Sequence, residues 1–307
     1  MLFMTTQFRG IFAIPPTPFD DNLELDLGSL RSLIDFCCDS GAHGIVLPVN
    51  ASEFTSLTDD ERKTVVEVGA KQTRGRLPFV AGVSGITYKS AVLFAKHAFD
   101  SGADALIAMP PYVNKATEGE IFQYYEAISK AAPLPIFIQN YVAPVGTPLS
   151  APAMMRLVAE IEHVDYIKEE TNFAGQVITQ CVDLAASAVP GKFKGVMGGK
   201  AGRYLLDEYR RGACGSMPAC EVADVQAKIW DALEAGREDE ATEMFNKIIT
   251  LLNFEYLYGS ALYKEVLKAR GVIKTANFRQ CGASALDEID HVEFKRIMDY
   301  IAPMFKL

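Results

Sequence analysis

Short apolar runs alternate with longer amphipathic stretches over most of the chain. The runs are Gly10-Ile11-Phe12-Ala13-Ile14, Gly44-Ile45-Val46-Leu47-Pro48-Val49, Pro78-Phe79-Val80-Ala81-Gly82, Ala105-Leu106-Ile107-Ala108-Met109, Pro135-Ile136-Phe137-Ile138-Gln139, Val164-Asp165-Tyr166-Ile167-Lys168, Phe193-Lys194-Gly195-Val196-Met197 and Gly215-Ser216-Met217. Most are continuous rather than alternating in polarity, as expected of parallel strands covered on both faces. The stretches between them carry helical spacing and helix punctuation. Thr58 with Glu61 makes a capping box that opens a helix over 58–71. Ser40-Gly41-Ala42, Ser101-Gly102-Ala103 and Arg211-Gly212-Ala213 each put glycine where a helix ends and an apolar run begins.

Eight such units in about 220 residues match the size of a (β/α)8 barrel. A doubly wound open sheet is the competing architecture. It would usually carry Gly-x-Gly-x-x-Gly after its first strand, where this chain has Ile14-Pro15-Pro16-Thr17-Pro18. After Glu221 the strand pattern stops. Val222, Val225, Ile229 and Leu233 share one helical face, with Gly236 as a stop. Met244, Phe245, Ile248, Leu251 and Leu252 form a second face, Leu262, Val266 and Leu267 a third, and 292–304 a last helix. The expected organisation is a TIM barrel catalytic domain over 1–220, with a C-terminal helical extension over 221–307.

Composition narrows the class. The 307 residues are 49% hydrophobic, enough for a large core, and carry a formal net charge of −9. No Lys/Arg run forms a stripe, so a nucleic-acid partner is not expected. No apolar run approaches the ~20 residues that span a bilayer, and the first residues lack a signal-peptide pattern. A soluble cytoplasmic protein is the expectation. The six cysteines, Cys37, Cys38, Cys181, Cys214, Cys220 and Cys281, show neither Cys-x-x-Cys nor zinc spacing. They read as free buried thiols.

The chemistry centres on Lys168. It ends an apolar strand pattern, where an ammonium loses hydration and the neutral amine becomes more accessible. A neutral lysine amine attacks ketones and forms Schiff bases. The bland alternative is a structural lysine paired with Glu169 or Glu170. Barrel enzymes place their sites at the C-terminal ends of the strands. Those ends here are Pro16-Thr17, Asn50-Ala51-Ser52-Glu53, Gly82-Val83-Ser84, Pro110-Pro111-Tyr112, Gln139-Asn140-Tyr141, Lys168-Glu169-Glu170, Gly198-Gly199 and Met217-Pro218-Ala219. They hold one lysine, no histidine and mostly small polar groups. Such a set suits a small carboxylate beside an amine nucleophile, and offers no converging metal ligands. Gly198-Gly199 could cradle phosphate, but reads better as a tight turn or as room for substrate. His43, His97, His163 and His291 fall at helix ends or surface positions and are not expected to be catalytic.

Several of these residues carry a resemblance. Thr17-Pro18-Phe19, the segment through Glu53, Pro111-Tyr112, Ile167-Lys168-Glu169 and the helical tail resemble the dihydrodipicolinate synthase / N-acetylneuraminate lyase superfamily of Schiff-base barrel enzymes. The resemblance implies that Lys168 forms an imine with the C2 ketone of pyruvate or another 2-keto acid. It implies that Asn50 and Ala51 hold the substrate carboxylate, with no cofactor beyond the imine, in a homotetramer. Three groups depart from the synthase pattern: Gln139 stands for the strand-five relay tyrosine, Pro144 for the aldehyde-gripping arginine, and Val113 for the second tyrosine of a pair. The synthase stretch Gly-Thr-Thr-Gly-Glu is Val49-Asn50-Ala51-Ser52-Glu53 here.

Asn50-x-Ser52-Glu53, Ala108-Met109-Pro110-Pro111-Tyr112, and Gln139 before Gly146-Thr147-x-Leu149-Ser150-Ala151-Pro152 resemble the 2-keto-3-deoxy-sugar-acid dehydratases, notably the L-2-keto-3-deoxyarabonate type. The expected activity is a lyase that dehydrates such an acid; a pyruvate-dependent aldolase or a synthase-like condensing enzyme is the alternative. Expected catalytic residues are Lys168, Tyr112 and Tyr141. Expected substrate contacts are Thr17, Asn50, Ala51, Ser52, Gln139, Gly199 and Glu221, with Glu221 a further proton-transfer candidate. Asn50 and Ser52 also suit plain turn chemistry, Gln139 could be only a core hydrogen-bond partner, and Glu169 reads as pointing out of the barrel. A barrel that binds a phosphorylated ligand without covalent chemistry, or a catalytically silent sensor, are the competing classes.

Overall fold

The computed structural model describes residues 8–142, 145 and 147–307. Its strands are β1 (Gly10–Ala13), β2 (Gly44–Leu47), β3 (Phe79–Gly82), β4 (Ala105–Ala108), β5 (Ile136–Tyr141), β6 (Val164–Glu170), β7 (Gly195–Gly198) and β8 (Gly215–Ser216). The helices between and after them are α1 (Leu27–Ser40), α2 (Asp59–Thr73), α3 (Tyr88–Ser101), α4 (Glu118–Ala131), α5 (Ala151–Glu160), α6 (Ala174–Ala188), α7 (Leu205–Arg210) and α8 (Ala223–Glu234). Three more follow: α9 (Glu238–Tyr258), α10 (Ser260–Ala269) and α11 (Glu288–Ile301). The strands close into a barrel in the order β1 to β8. This is the expected (β/α)8 architecture with helices at its C-terminal end.

Local chemistry explains the boundaries. Thr58 caps α2, accepting from the Glu61 amide while the Glu61 side chain returns to Thr58. Gly41 and Gly102 end α1 and α3 in the left-handed conformation, which glycine adopts without Cβ strain. The last helix starts earlier than 292 because the Asp287 carboxylate accepts from the Ile289 and Asp290 amides. Val292 consequently lies on an exposed face of α11. The cysteines are free, but Cys38 is only half-buried and Cys281 is exposed.

The chain divides into two compact units. One runs over Phe79–Lys200 and Tyr204–Met217, with Phe8 and Arg9. Its aromatic core stacks Phe137 on Tyr166 with ring centroids 4.5 Å apart, and Phe8 meets both edge-on. The β5–β6 ladder contains a register shift. Ile136 pairs with Val164 but Phe137 pairs with Tyr166, so Asp165 is an extra residue without a partner on β5. Beyond this bulge Gln139 lies beside Lys168, Asn140 beside Glu169 and Tyr141 beside Glu170. The other unit runs over Gly10–Pro78, Ala201–Arg203 and Pro218–Leu307. Here α8 packs on β1 and α1, α9 on α8, and α10 and α11 on α9. The residues that place α8, namely Val222, Val225, Ile229 and Leu233, are all buried.

Candidate active site

Neighbours in a parallel ladder share a face, and faces alternate along each strand. Asn140 and Glu169 share one face. The Asn140 amide donates to Glu169 Oε2 at 2.7 Å and to the Leu149 carbonyl at 3.0 Å, and the Thr171 amide donates to Glu169 Oε1 at 2.6 Å. Burial raises the Glu169 carboxyl above its ordinary range, against the pull of Thr171 and Asn140. Gln139, Tyr141, Lys168 and Glu170 therefore share the opposite face.

On that face Lys168 is 2% exposed, and its Nζ lies 3.0 Å from Glu170 Oε2. Gln139 Nε2 donates to the same oxygen at 2.9 Å, and the Lys200 amide donates to Glu170 Oε1 at 3.2 Å. One buried carboxylate thus gathers an ammonium, a carboxamide and a main-chain N–H. Tyr141, half-buried, stands beside Glu170 in the ladder. Tyr112 lies in the β4–α4 connection and is also half-buried. Val113, beside it, is exposed.

The Gly198-Gly199 pair makes room for carboxyl groups on both faces of β7. A Cβ on Gly199 would fall 2.4 Å from Glu170 Oε1, and one on Gly198 would fall 1.7 Å from Glu208 Oε2. Neither glycine has positive φ, so a left-handed tight turn is not what this pair supplies. Glu208, on α7, is buried, and its Oε2 has no hydrogen-bond partner among the described residues. Burial pushes its carboxyl up to about 8, helped by the charges of Glu170, Asp207 and Glu169.

In the other unit, Asn50 and Ala51 belong to the 3₁₀ turn Asn50–Ser52 after β2. Thr17 Oγ1 donates to the Ser52 carbonyl at 2.6 Å, and Ser52 Oγ donates to the Pro15 carbonyl at 2.8 Å. Thr17 and Ser52 are thus brought together and buried. Glu53 follows with φ 55°, joining this turn to a second one, Phe54–Ser56. Its carboxylate pairs with Lys264 and accepts the Arg279 and Gln280 amides at 2.8 and 2.7 Å. Burial lowers the Lys264 ammonium to about 8, against the pull of Glu53.

Glu221 is buried after β8, and its charge is felt by the buried Glu255 of α9. Burial raises both carboxyls, and the Glu221 charge helps to push Glu255 well above the carboxylate range. Among the described residues no group of three or more His, Cys, Asp and Glu is placed to hold a metal ion, and no helix is long and apolar enough to cross a membrane. Pro144 and Gly146, which carry part of the sequence resemblance, lie outside the described residues.

Glu170 is the residue that sequence reasoning passed over, treating it only as a neutralising partner. The spacing that reveals it is Lys168-x-Glu170, because residues two apart on a strand face the same way.

A closed parallel barrel with a lysine–carboxylate pair at the C-terminal end of a strand defines the class, a (β/α)8 barrel enzyme. A model of the dihydrodipicolinate synthetase family matches residues 7–298, and the chain belongs to that family of lyases. The L-2-keto-3-deoxyarabonate dehydratase of Azospirillum brasilense is 33% identical over 270 residues, 87% of this chain and 86% of that protein. The 4-hydroxy-tetrahydrodipicolinate synthase of Bradyrhizobium diazoefficiens is 36% identical over 166 residues, 54% of this chain and 55% of that protein. The solved structure of dihydrodipicolinate synthase from Rhodopseudomonas palustris matches with a TM-score of 0.89 over 98% of this chain and 100% of that one. At 23% identity that likeness is one of fold.

Proposed function

We propose that this chain is a Schiff-base-forming hydro-lyase acting on a 2-keto-3-deoxy sugar acid, with Lys168 as nucleophile and Glu170 as acid–base partner. The observation that carries the reading is the 3.0 Å contact between the buried Lys168 Nζ and the Glu170 carboxylate, which Gln139 also grips. Glu170 takes a proton from Lys168, and the free amine attacks the C2 ketone. A C–N bond forms as the C=O π bond opens, and the oxygen, taking one proton from the attacking nitrogen and one from Glu170, leaves as water to give the iminium. The iminium draws electrons from C3, whose proton passes to Glu170. The resulting enamine expels the C4 hydroxyl, which takes that proton and leaves as a second water. Addition of water to the imine carbon then frees Lys168, so the balance is loss of one water from the substrate. Gln139 cannot relay a proton as a tyrosine would; in this reading it orients the carboxylate that does. Tyr141 and Tyr112 are further hydroxyl donors for the substrate, and Asn50 and Ala51 take its carboxylate.

Similarity to the arabonate dehydratase over most of both chains supports dehydration. Similarity to the synthases favours a second reading, pyruvate-dependent C–C bond chemistry on the same imine. Gln139 and Val113, where a synthase places tyrosines, weigh against it.

Borohydride reduction in the presence of pyruvate tests the imine. A mass adduct that maps to Lys168 is expected, and no adduct with any 2-keto acid would remove both readings. Incubation with 2-keto-3-deoxy pentonates and hexonates then separates them, because pyruvate plus aldehyde as sole products would refute dehydration. The imine is the electron sink, so the reading calls for no cofactor. It also has the protein working as a cytoplasmic homotetramer, which sedimentation of the purified protein tests.

A further inference from the structure

Glu53 occupies a backbone position that its residue type does not favour. Its φ of 55° is left-handed, a conformation that glycine or asparagine adopts at less cost. Its own N–H closes the preceding turn onto the Asn50 carbonyl at 2.9 Å, and its carbonyl accepts the Ser56 amide at 2.8 Å. Glycine would serve that geometry but could not reach the tail of the chain. The Glu53 side chain does, accepting three donors that lie more than 200 residues further on: Lys264 Nζ and the Arg279 and Gln280 amides.

The donors are themselves fixed. Lys264 also donates to the Asn277 carbonyl at 2.9 Å and sits 4.5 Å from the centroid of the Phe19 ring. Arg279 covers the same ring at 4.3 Å and pairs with Glu61 at 2.9 Å. Lys264 and Glu53 have fully buried side chains. A buried ion pair adds little net stability over apolar packing, whereas removing one partner strands the other charge. Its use here is better read as placement.

We propose that Glu53 is a positioning residue: gripped by Lys264 and the 279–280 amides, it makes the C-terminal tail part of the turn Asn50–Ser52 that receives the substrate carboxylate. This rests on the reading of that turn given above, and adds the tail as the element that sets its shape. The tail then controls affinity for 2-keto acids without touching them.

The test uses the 307-residue chain, with pyruvate as probe. Lys264→Met, Glu53→Gln and the double variant are compared with wild type in borohydride trapping at Lys168 and in hydrogen exchange of the 49–57 peptide. Glu53→Gln keeps an acceptor for both amides, so it remains informative if Lys264→Met fails to fold. The expected result is a half-saturation for pyruvate raised at least tenfold, with the extent of trapping at saturation within threefold of wild type. Exchange should rise in 49–57 more than in the strands. The double variant, which strands no charge, should exchange less than Lys264→Met yet keep weakened pyruvate binding. Folded variants with unchanged half-saturation overturn the proposal, whether or not exchange rises. Wild type that traps no 2-keto acid overturns the functional reading and this inference with it. Wild-type trapping with unaltered variants overturns this inference alone.

Discussion

Replacing Glu208 by glutamine should flatten a fall in stability that the wild-type chain shows as pH rises from about 4.5 to about 8. The carboxyl is buried on α7 against Gly198, and burial pushes it up to about 8 from an ordinary 4.5. Between those values the folded chain holds a proton that the unfolded chain has released. Folded protein then binds more protons, so stability declines with rising pH across that window. The contribution is fully present below about 4.5 and lost above about 8. A gap of roughly 3.5 pH units at ~1.36 kcal/mol each sets a ceiling of about 5 kcal/mol. Glutamine keeps the shape and cannot titrate. Urea midpoints for both proteins at half-unit steps from pH 4 to 9 give a difference curve in which other titrating groups cancel. A constant offset records the altered hydrogen bonding, and the slope records the proton. Parallel curves would refute the argument that Glu208 is protonated in the folded chain.

Four further outcomes are expected. Glu170→Gln should lower kcat by about 10²- to 10⁴-fold, the usual worth of a positioned acid–base group, and should slow pyruvate trapping at Lys168, because the same carboxylate frees the amine; steady-state rates within threefold of wild type would exclude Glu170 from proton transfer. Gly199→Ala, whose new Cβ would fall 2.4 Å from Glu170 Oε1, should cost at least tenfold in kcat, whereas Gly119→Ala, with nothing within 4 Å, should stabilise the protein by roughly 0.4–1 kcal/mol in denaturant titration. Exhaustive dialysis against a chelator should leave turnover unchanged, and loss restored by one particular metal would show that the imine is not the sole electrophile.

The barrel was legible because most of its strand patterns were nearly all apolar and several of its helices carried their own punctuation, such as Thr58 with Glu61. The helical tail was legible for the same reason, apart from α11, where the Asp287 cap outweighed the apolar spacing that pointed to 292. The lysine stood out because a cation in an apolar run contradicts its surroundings. Its carboxylate partner did not, because Glu170 follows Glu169 and adjacent identical residues hide which one faces the lysine. The glycine pair hid its neighbours for a related reason. The side chains closest to it are Glu170 and Glu208, one on the preceding strand and one on the following helix. The grip of Lys264 on Glu53 joins residues 211 apart, a separation that no local pattern discloses.

The unpaired Asp165 has a consequence for how the chain tolerates loss of a residue. The residues on either side of it already pair as a simple ladder would, Ile136 with Val164 and Phe137 with Tyr166, so removing Asp165 leaves Gln139 beside Lys168. Lys168 and Glu170 would keep the face that they share with Gln139 and Tyr141. A chain lacking Asp165 alone should therefore still trap pyruvate, and loss of trapping would show that the bulge itself shapes the site. The address of the amine is written in its pairing with Gln139 rather than in a count of residues along the strand, and the bulge is a residue the ladder can spare.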